Sequence, residues 1–230
     1  GIISPHAGYI YSGTTAGEVF SKINIPNEAI ILCPNHTGLG EPFSLWQNGS
    51  WITPLGEVRI SQELCDLVKN SYKLIREDKY AHLEEHSGEV QLPFLQYLNP
   101  AIKIAVVVIS YDDLSSLQSF GISLGNSLRQ YGKEVLLIAS SDMTHYESQK
   151  EVNKKDSIAI EKIEKLDTGG LYDALREFNI TMCGYMPAIV MLSAAKELGA
   201  KCAKLIKYST SGDVFGDYDK VVGYAGIIVV

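Results

Sequence analysis

Cysteine is scarce and scattered. Four stand at 33, 65, 183 and 202, with no CxxC pair and no framework spacing. They read as reduced thiols, and the expected compartment is the cytoplasm. Clustered positive charge is also missing: the net charge is -7 and no Lys/Arg patch stands out. Nucleic acid needs a basic face for its phosphates, so it is not an expected partner, and neither is an anionic membrane surface. Long apolar runs are lacking too. The longest are Ile104 to Ile109 and Gly226 to Val230, whereas a spanning helix needs about 20 apolar residues. No signal peptide, internal repeat, low-complexity segment or linker is visible. Gly1 runs straight into an apolar strand, so further residues are expected before the natural start.

What is present suits a globular chain that buries a sizeable core. It has 230 residues, 46% hydrophobic and 20% charged, enough for one large domain or two small ones. Strand and helix patterns alternate to the end. Strands are predicted over Ile2 to Ser4, Ala29 to Cys33, Lys103 to Ser110, Glu134 to Ser140, Ala203 to Ser209 and Val221 to Val230. Helices are predicted over Ser12 to Ile23, Ser61 to Ser71, Gly88 to Leu98, Asp113 to Tyr131, Ser148 to Leu166, Gly170 to Phe178 and Pro187 to Leu198. Ser12 or Thr14 is the expected cap of the first, and Ser148 with Glu151 resembles a capping box. Between Phe43 and Ile60, Asn48-Gly49 reads as a hairpin turn in a small β projection from the main layer. The expected architecture is one α/β domain over residues 1–230, three layers deep, with a mainly parallel central sheet.

Three of the five histidines follow a predicted strand: His6 after Ile2 to Ser4, His36 after Ile30 to Cys33, and His145 after Leu137 to Ser140. Parallel strands place their carboxyl ends on one edge, where α/β sheets bind ligands. Residues far apart in sequence therefore meet there. Pro5 and Pro34 stiffen the turns that aim the first two rings. His82 and His86, spaced i, i+4, would share one face of a helix and could form a metal pair. Their HLEEH context does not fit HExxH, but it matches the inverzincin order HxxEH, which leaves a zinc-hydrolase reading open. Cys183 precedes a predicted helix whose N-terminus would favour its thiolate. Cys33, Cys65 and Cys202 read as inert.

Together these segments resemble the Memo family. Pro5-His6-Ala7-Gly8-Tyr9 with Tyr11-Ser12-Gly13, Pro34-Asn35-His36, Glu85-His86-Ser87 with Gln91-Leu92-Pro93, Ser140-Ser141-Asp142 to His145, and Cys183-Gly184 follow the family's order and approximate spacing. The family's usual N-terminal segment is missing. The resemblance covers nearly the whole chain and implies a fold like that of class III extradiol dioxygenases. It implies a divalent metal held by His6, His36 and Cys183, iron(II) first, with zinc or copper admitted by the soft thiolate. It implies acid/base work for His145 with Asp142 beside it. His86 and Asp142 are expected to support the ligands or line the pocket, with Glu85 as the alternative carboxylate. Tyr9, Tyr11, Tyr146 and Tyr185 flank the proposed ligands and are expected to line a pocket, for which Tyr9 and Tyr185 are the leading candidates. The human relative is associated with motility signalling and phosphopeptide binding, and some prokaryotic members with a radical-SAM protein. The readings that follow are a metal-dependent redox enzyme of unknown substrate, a non-catalytic module for a peptide or small ligand, and, behind both, a zinc hydrolase.

Overall fold

The structure is a computed structural model that describes residues 1–230. Its backbone is organised by one strand type: runs of β-branched and aliphatic residues buried on both faces. The β-strands are β1 (Ile2–Ser4), β2 (Glu28–Pro34), β3 (Phe43–Trp46), β4 (Ser50–Thr53), β5 (Gly56–Ile60), β6 (Arg76–Glu77), β7 (Lys103–Ile109), β8 (Leu136–Ser140), β9 (His145–Glu147), β10 (Ala203–Thr210) and β11 (Val221–Val229). In β7, Ile104, Val106 and Val108 face one apolar layer while Ala105, Val107 and Ile109 face the other. That two-sided burial is the signature of a central parallel strand. The sheet order is β10-β11-β1-β8-β2-β7-β3-β6. β1, β8, β2 and β7 run parallel at its centre, and antiparallel pairing of β11 with β1 and of β3 with β7 closes the flanks.

Eight α-helices cover the sheet: α1 (Tyr9–Phe20), α2 (Gln62–Ser71), α3 (Leu92–Leu98), α4 (Leu114–Tyr131), α5 (Gln149–Glu164), α6 (Thr168–Glu177), α7 (Tyr185–Glu197) and the short α8 (Gly212–Phe215). Residues of α1 and α3 belong to one apolar layer, and those of α2, α4, α5, α6 and α7 to the other. The expected three-layer α/β arrangement is therefore present. Side-chain caps set several helix starts: Ser61, Asp113, Ser148 and Asp167 each accept an N–H of the first turn. None of the helices is long and apolar enough to cross a membrane.

Three local expectations are corrected. α1 begins at Tyr9, with Gly8 as its cap residue and no side-chain cap. Ser12 lies inside it, buried, and donates back to Ala7 O at 2.9 Å. Asn48-Gly49 is a corner, not a hairpin turn. β3 stays in the main sheet against β7 and β6, and the projecting hairpin is β4–β5 instead. Gly49, at φ 91°, makes the turn out of the sheet, and its carbonyl accepts from Ile60 N at 3.1 Å. Last, residues 82–86 form no α-helix. His82 ends a 3-10 turn, Tyr80–His82, and only turns and irregular backbone follow before Glu89. The i, i+4 face on which the inverzincin pattern depends is absent.

Candidate metal centre

The carboxyl ends of β1, β2 and β8 lie side by side because Ser4 pairs with Ser140 and Leu32 with Ala139. That register carries His6, His36 and Asp142 to one edge of the sheet. The segment after the 3-10 turn brings His86 to the same place. One ring nitrogen from each of His6, His36 and His86 lies within 4.8 Å of the others. The ring centroids stand 5.1, 5.5 and 5.2 Å apart. Three imidazoles this close are able to hold a metal ion.

The hydrogen bonds decide which nitrogens are free. Ser140 Oγ donates to Ser87 O at 2.7 Å, since a carbonyl only accepts. Gln91 Nε2 is oriented by Pro5 O at 3.0 Å and donates to Ser140 Oγ at 3.0 Å. The one hydroxyl proton is thus committed, and Ser140 Oγ must accept from His6 Nδ1 at 2.9 Å. His6 Nε2 is left with its lone pair. His36 Nδ1 lies 2.9 Å from Glu85 Oε1, and Glu85 Oε2 accepts the His36 N–H at 2.7 Å. Burial opposes ionisation of Glu85, but bonds from the ring and backbone of His36 and from the hydroxyl and N–H of Ser87 outweigh it and hold the carboxyl at about 2. An ionised carboxylate only accepts, so His36 also presents Nε2. A metal-ligating histidine commonly has its second nitrogen held this way.

Burial pushes His6 down to about 4, against the pull of Asp142. The ring is therefore neutral at physiological pH, as a ligand must be. The bond to Glu85 pushes His36 up, against its partial burial. Asp142 accepts the backbone N–H groups of His6 at 2.8 Å and Ala7 at 3.2 Å, and its Oδ2 is 4.0 Å from His6 Nε2. It fixes the turn that carries His6, and Ser140 and Glu85 orient the rings.

Cys183 stands at one side of the trio, its Sγ 3.2 Å from His6 Nε2 and 3.3 Å from Asp142 N. It is brought there by Gly184, which starts α7 against β8. A Cβ on Gly184 would lie 2.1 Å from Ser140 O, so only glycine allows this approach. With protein groups alone around it, the thiol is pushed up by burial and by the Asp142 carboxylate. A cation beside the sulfur would reverse the balance.

In front of these groups lies a cavity of about 650 Å³, lined by His6, His36, His86, Asp142 and His145 and by Tyr11, Tyr146, Phe215, Lys220 and Tyr224, among others. His145 Nδ1 donates to Thr181 O at 3.0 Å, and its backbone N–H donates to Thr181 Oγ1 at 2.7 Å. Its Nε2 makes no hydrogen bond within the protein. Tyr146, next to it, has φ 60°, a left-handed backbone that a tyrosine rarely takes. Strain of this kind gathers at functional sites.

Two tyrosines expected at the pocket lie elsewhere. Tyr9 donates to Val90 O at 3.3 Å and meets Phe94 edge to face on the α1–α3 side. Tyr185 faces Tyr172 and Arg176 on the opposite helical layer. His82 also turns away, its Nε2 donating to Ser44 O at 3.1 Å. The segment from Ser211 to Tyr224 supplies one wall of the cavity, although nothing in its sequence marks it out. Gln91 and Ser140, by contrast, were visible as polar residues beside the histidine motifs.

Comparison with known proteins agrees with this architecture. The family model described as Memo-like protein matches residues 1–228. A MEMO1 family protein of Aquifex aeolicus is 46% identical over 99% of this chain and 84% of its own length. Others from Pyrobaculum aerophilum and Desulfurococcus amylolyticus are 41% and 43% identical, again over 99% of this chain and 82% and 81% of theirs. The crystal structure of an uncharacterized protein from Escherichia coli K12 superposes with a TM-score of 0.59 at 14% identity, over 99% of this chain and 98% of that one, a likeness of fold alone. Matched end to end by the family model and by relatives above 40% identity, this chain belongs to the Memo family.

Proposed function

We propose that this protein is a metal-dependent redox enzyme in which His6, His36 and His86, with Cys183 beside His6, hold one divalent ion, iron(II) in the first place. The carrying observation is the pair of fixed tautomers: Ser140 and Glu85 hold the Nδ1 protons of His6 and His36, so both rings offer Nε2 within the trio. The donor set fits such an ion, with neutral imidazoles and one soft sulfur that also admits zinc or copper. When bound, the ion would supply a Lewis-acidic, redox-active centre beside the cavity. The chain's own residues do the rest. His145, its Nδ1 proton tied to Thr181 O, accepts or delivers a proton at Nε2. Asp142 keeps the His6 turn in place. The cavity, of a size that suits a small molecule, receives the substrate between Tyr11, Tyr146 and Phe215.

The test is the metal content of protein purified without oxygen, followed by oxygen uptake after aerobic transfer. Iron near one equivalent, lost on substitution of His6 or His36 by alanine, together with uptake that depends on His145, supports the reading. Bound zinc without oxygen uptake would overturn it. Cys183→Ser is expected to weaken metal binding, while Cys65→Ser and Cys202→Ser leave it unchanged.

A second reading, a binding module for a peptide or small ligand, is favoured by the exposed rim. Tyr146 is 72% and Phe215 58% exposed, as suits a surface that meets a partner. Saturable ligand binding by metal-loaded protein that never turns over would decide for it.

A further inference from the structure

Asp156, on α5, is fully buried, and the chemistry above gives it no role. No salt bridge reaches it. An aspartate is rarely buried so deeply without a cation, because desolvation opposes its charge. Burial accordingly pushes the Asp156 carboxyl up, and hydrogen bonds from Thr144 and Tyr208 oppose the shift. Oδ1 accepts the Thr144 N–H at 2.9 Å, and Oδ2 accepts the Tyr208 hydroxyl of β10 at 2.7 Å. On β11, a Cβ at position 223 would overlap the same carboxylate, so Gly223 is what gives it room.

Thr144 is the residue before His145, and the backbone here is held at every step. The N–H groups of Asp142, Met143, Thr144 and His145 each have a separate acceptor: Cys183 Sγ at 3.3 Å, Gly223 O at 2.9 Å, Asp156 Oδ1 at 2.9 Å and Thr181 Oγ1 at 2.7 Å. Lys155, the neighbour of Asp156, acts on the other side of the ring. Its Nζ donates to Glu147 Oε1 at 2.6 Å and to Asn179 O at 3.0 Å. Glu147 lies just beyond His145, and Asn179 just before Thr181, whose carbonyl holds the His145 ring. Adjacent residues of one helix thus grip both segments between which the ring is set. They also bracket Tyr146, whose left-handed backbone persists only where the surroundings fix it.

We propose that Asp156 and Lys155 are positioning residues for His145: through Thr144, Glu147 and Asn179 they keep its Nδ1 proton on Thr181 O and leave Nε2 unprotonated. The inference rests on the reading of His145 as the group that moves a proton, and it names what prepares that group. Both side chains act through neighbouring residues. Without the anchor at Thr144, the segment before His145 is released, the ring leaves Thr181 O, and the proton is shared between the two nitrogens.

The tautomer is measured by 1H–15N correlation through the carbon-bound ring protons, in the full chain labelled with 15N-histidine. Chelator treatment removes any paramagnetic ion, and a pH of about 9 keeps the ring neutral, above the ordinary histidine range. His145→Gln identifies the His145 signals by their loss. The expected state in the unaltered protein is the Nδ1–H tautomer alone. Asp156→Ala is expected to raise the Nε2–H population about tenfold, as the loss of one hydrogen bond of ordinary strength would. Asp156→Asn keeps an oxygen for the Thr144 N–H and is expected to restore the Nδ1–H form. Lys155→Met gives the same test should Asp156→Ala fail to fold, and is expected to yield mixed tautomers too. A His145 that is already mixed in the unaltered protein overturns the proposal. So does a His145 that keeps the Nδ1–H form in Asp156→Ala or Lys155→Met, or an Asp156→Asn variant that behaves as Asp156→Ala. The readout needs neither metal nor substrate: tautomers that respond as expected, in a protein that takes up no oxygen, support the positioning role while the redox reading falls.

Discussion

At the scale of single residues, the candidate centre is governed by two proton positions. Ser140 Oγ has spent its proton on Ser87 O and can only accept from His6. Glu85, held at about 2, can only accept from His36. Ser140→Ala removes the first constraint and Glu85→Gln the second, placing an amide NH2 opposite an N–H. Each is expected to weaken metal binding about 10- to 100-fold, the usual effect of removing a partner behind a ligating histidine. Competition against a chelating dye measures it, and an unchanged affinity in both variants would show that the tautomers do not matter. His6 and His36 were legible in the sequence, because each follows a strand, whereas His86 comes from the segment after a 3-10 turn. Their partners were less so. Asp142 was the favoured carboxylate, yet Glu85 bonds the His36 ring, and a hydroxyl serves His6. Which acceptor reaches which nitrogen depends on side-chain placement that strand order alone does not specify.

At the scale of elements, two glycines separate stability from site geometry. Gly184 lets the start of α7 touch β8, where an alanine Cβ would come within 2.1 Å of Ser140 O. Gly121 lets α4 cross α7, where a Cβ would come within 2.4 Å of Val190 O. Either Gly→Ala change is expected to cost about 1–3 kcal/mol through overpacking. For a chain of this size that is a fall in Tm of about 2–4 °C per kcal/mol. Only Gly184→Ala also moves Cys183 and Ser141, so only it should reduce metal affinity along with stability. Thermal melts paired with metal titrations test this, and parallel losses in both variants would refute the distinction. The central strands were readable from their unbroken apolar runs. The projection was placed one strand too early, because Asn48-Gly49 fits a hairpin turn locally. β7 competes for the edge of β3 and wins, being itself buried on both faces with a free ladder to complete.

At the scale of the whole molecule, folding buries two histidines that must stay neutral. His6 and His82 are each pushed down to about 4 by burial, from an ordinary value near 6.5. Between those values the unfolded chain binds protons that the folded chain refuses, so stability rises with pH across that range. Glu85 extends the trend: its carboxyl, held at about 2, is protonated first in the unfolded chain as the pH falls below 4.5. In chelator-treated protein, His6 and His82 are therefore expected to lower stability from about pH 6.5 downward, by on the order of 3 kcal/mol each by pH 4, offset in part by His36, which Glu85 pushes up and which works in the opposite direction. Urea midpoints at a series of pH values measure it, and a flat profile from pH 7 to 4 would contradict the assignment. Trp46 and Trp51, packed on His82, give the optical signal. The sequence by itself determined the layered α/β architecture and the edge at which His6, His36 and His145 emerge, because two-sided apolar runs leave a central strand few other places. The tertiary structure decided what stands around those rings. His86 joins the trio, His82 leaves it for an aromatic cluster, Tyr9 and Tyr185 pack on other faces, and the wall from Ser211 to Tyr224 closes the cavity. Those outcomes depend on turns and on close contacts between distant segments, where a shift of one rotamer or one residue redirects a side chain, and no local periodicity encodes them.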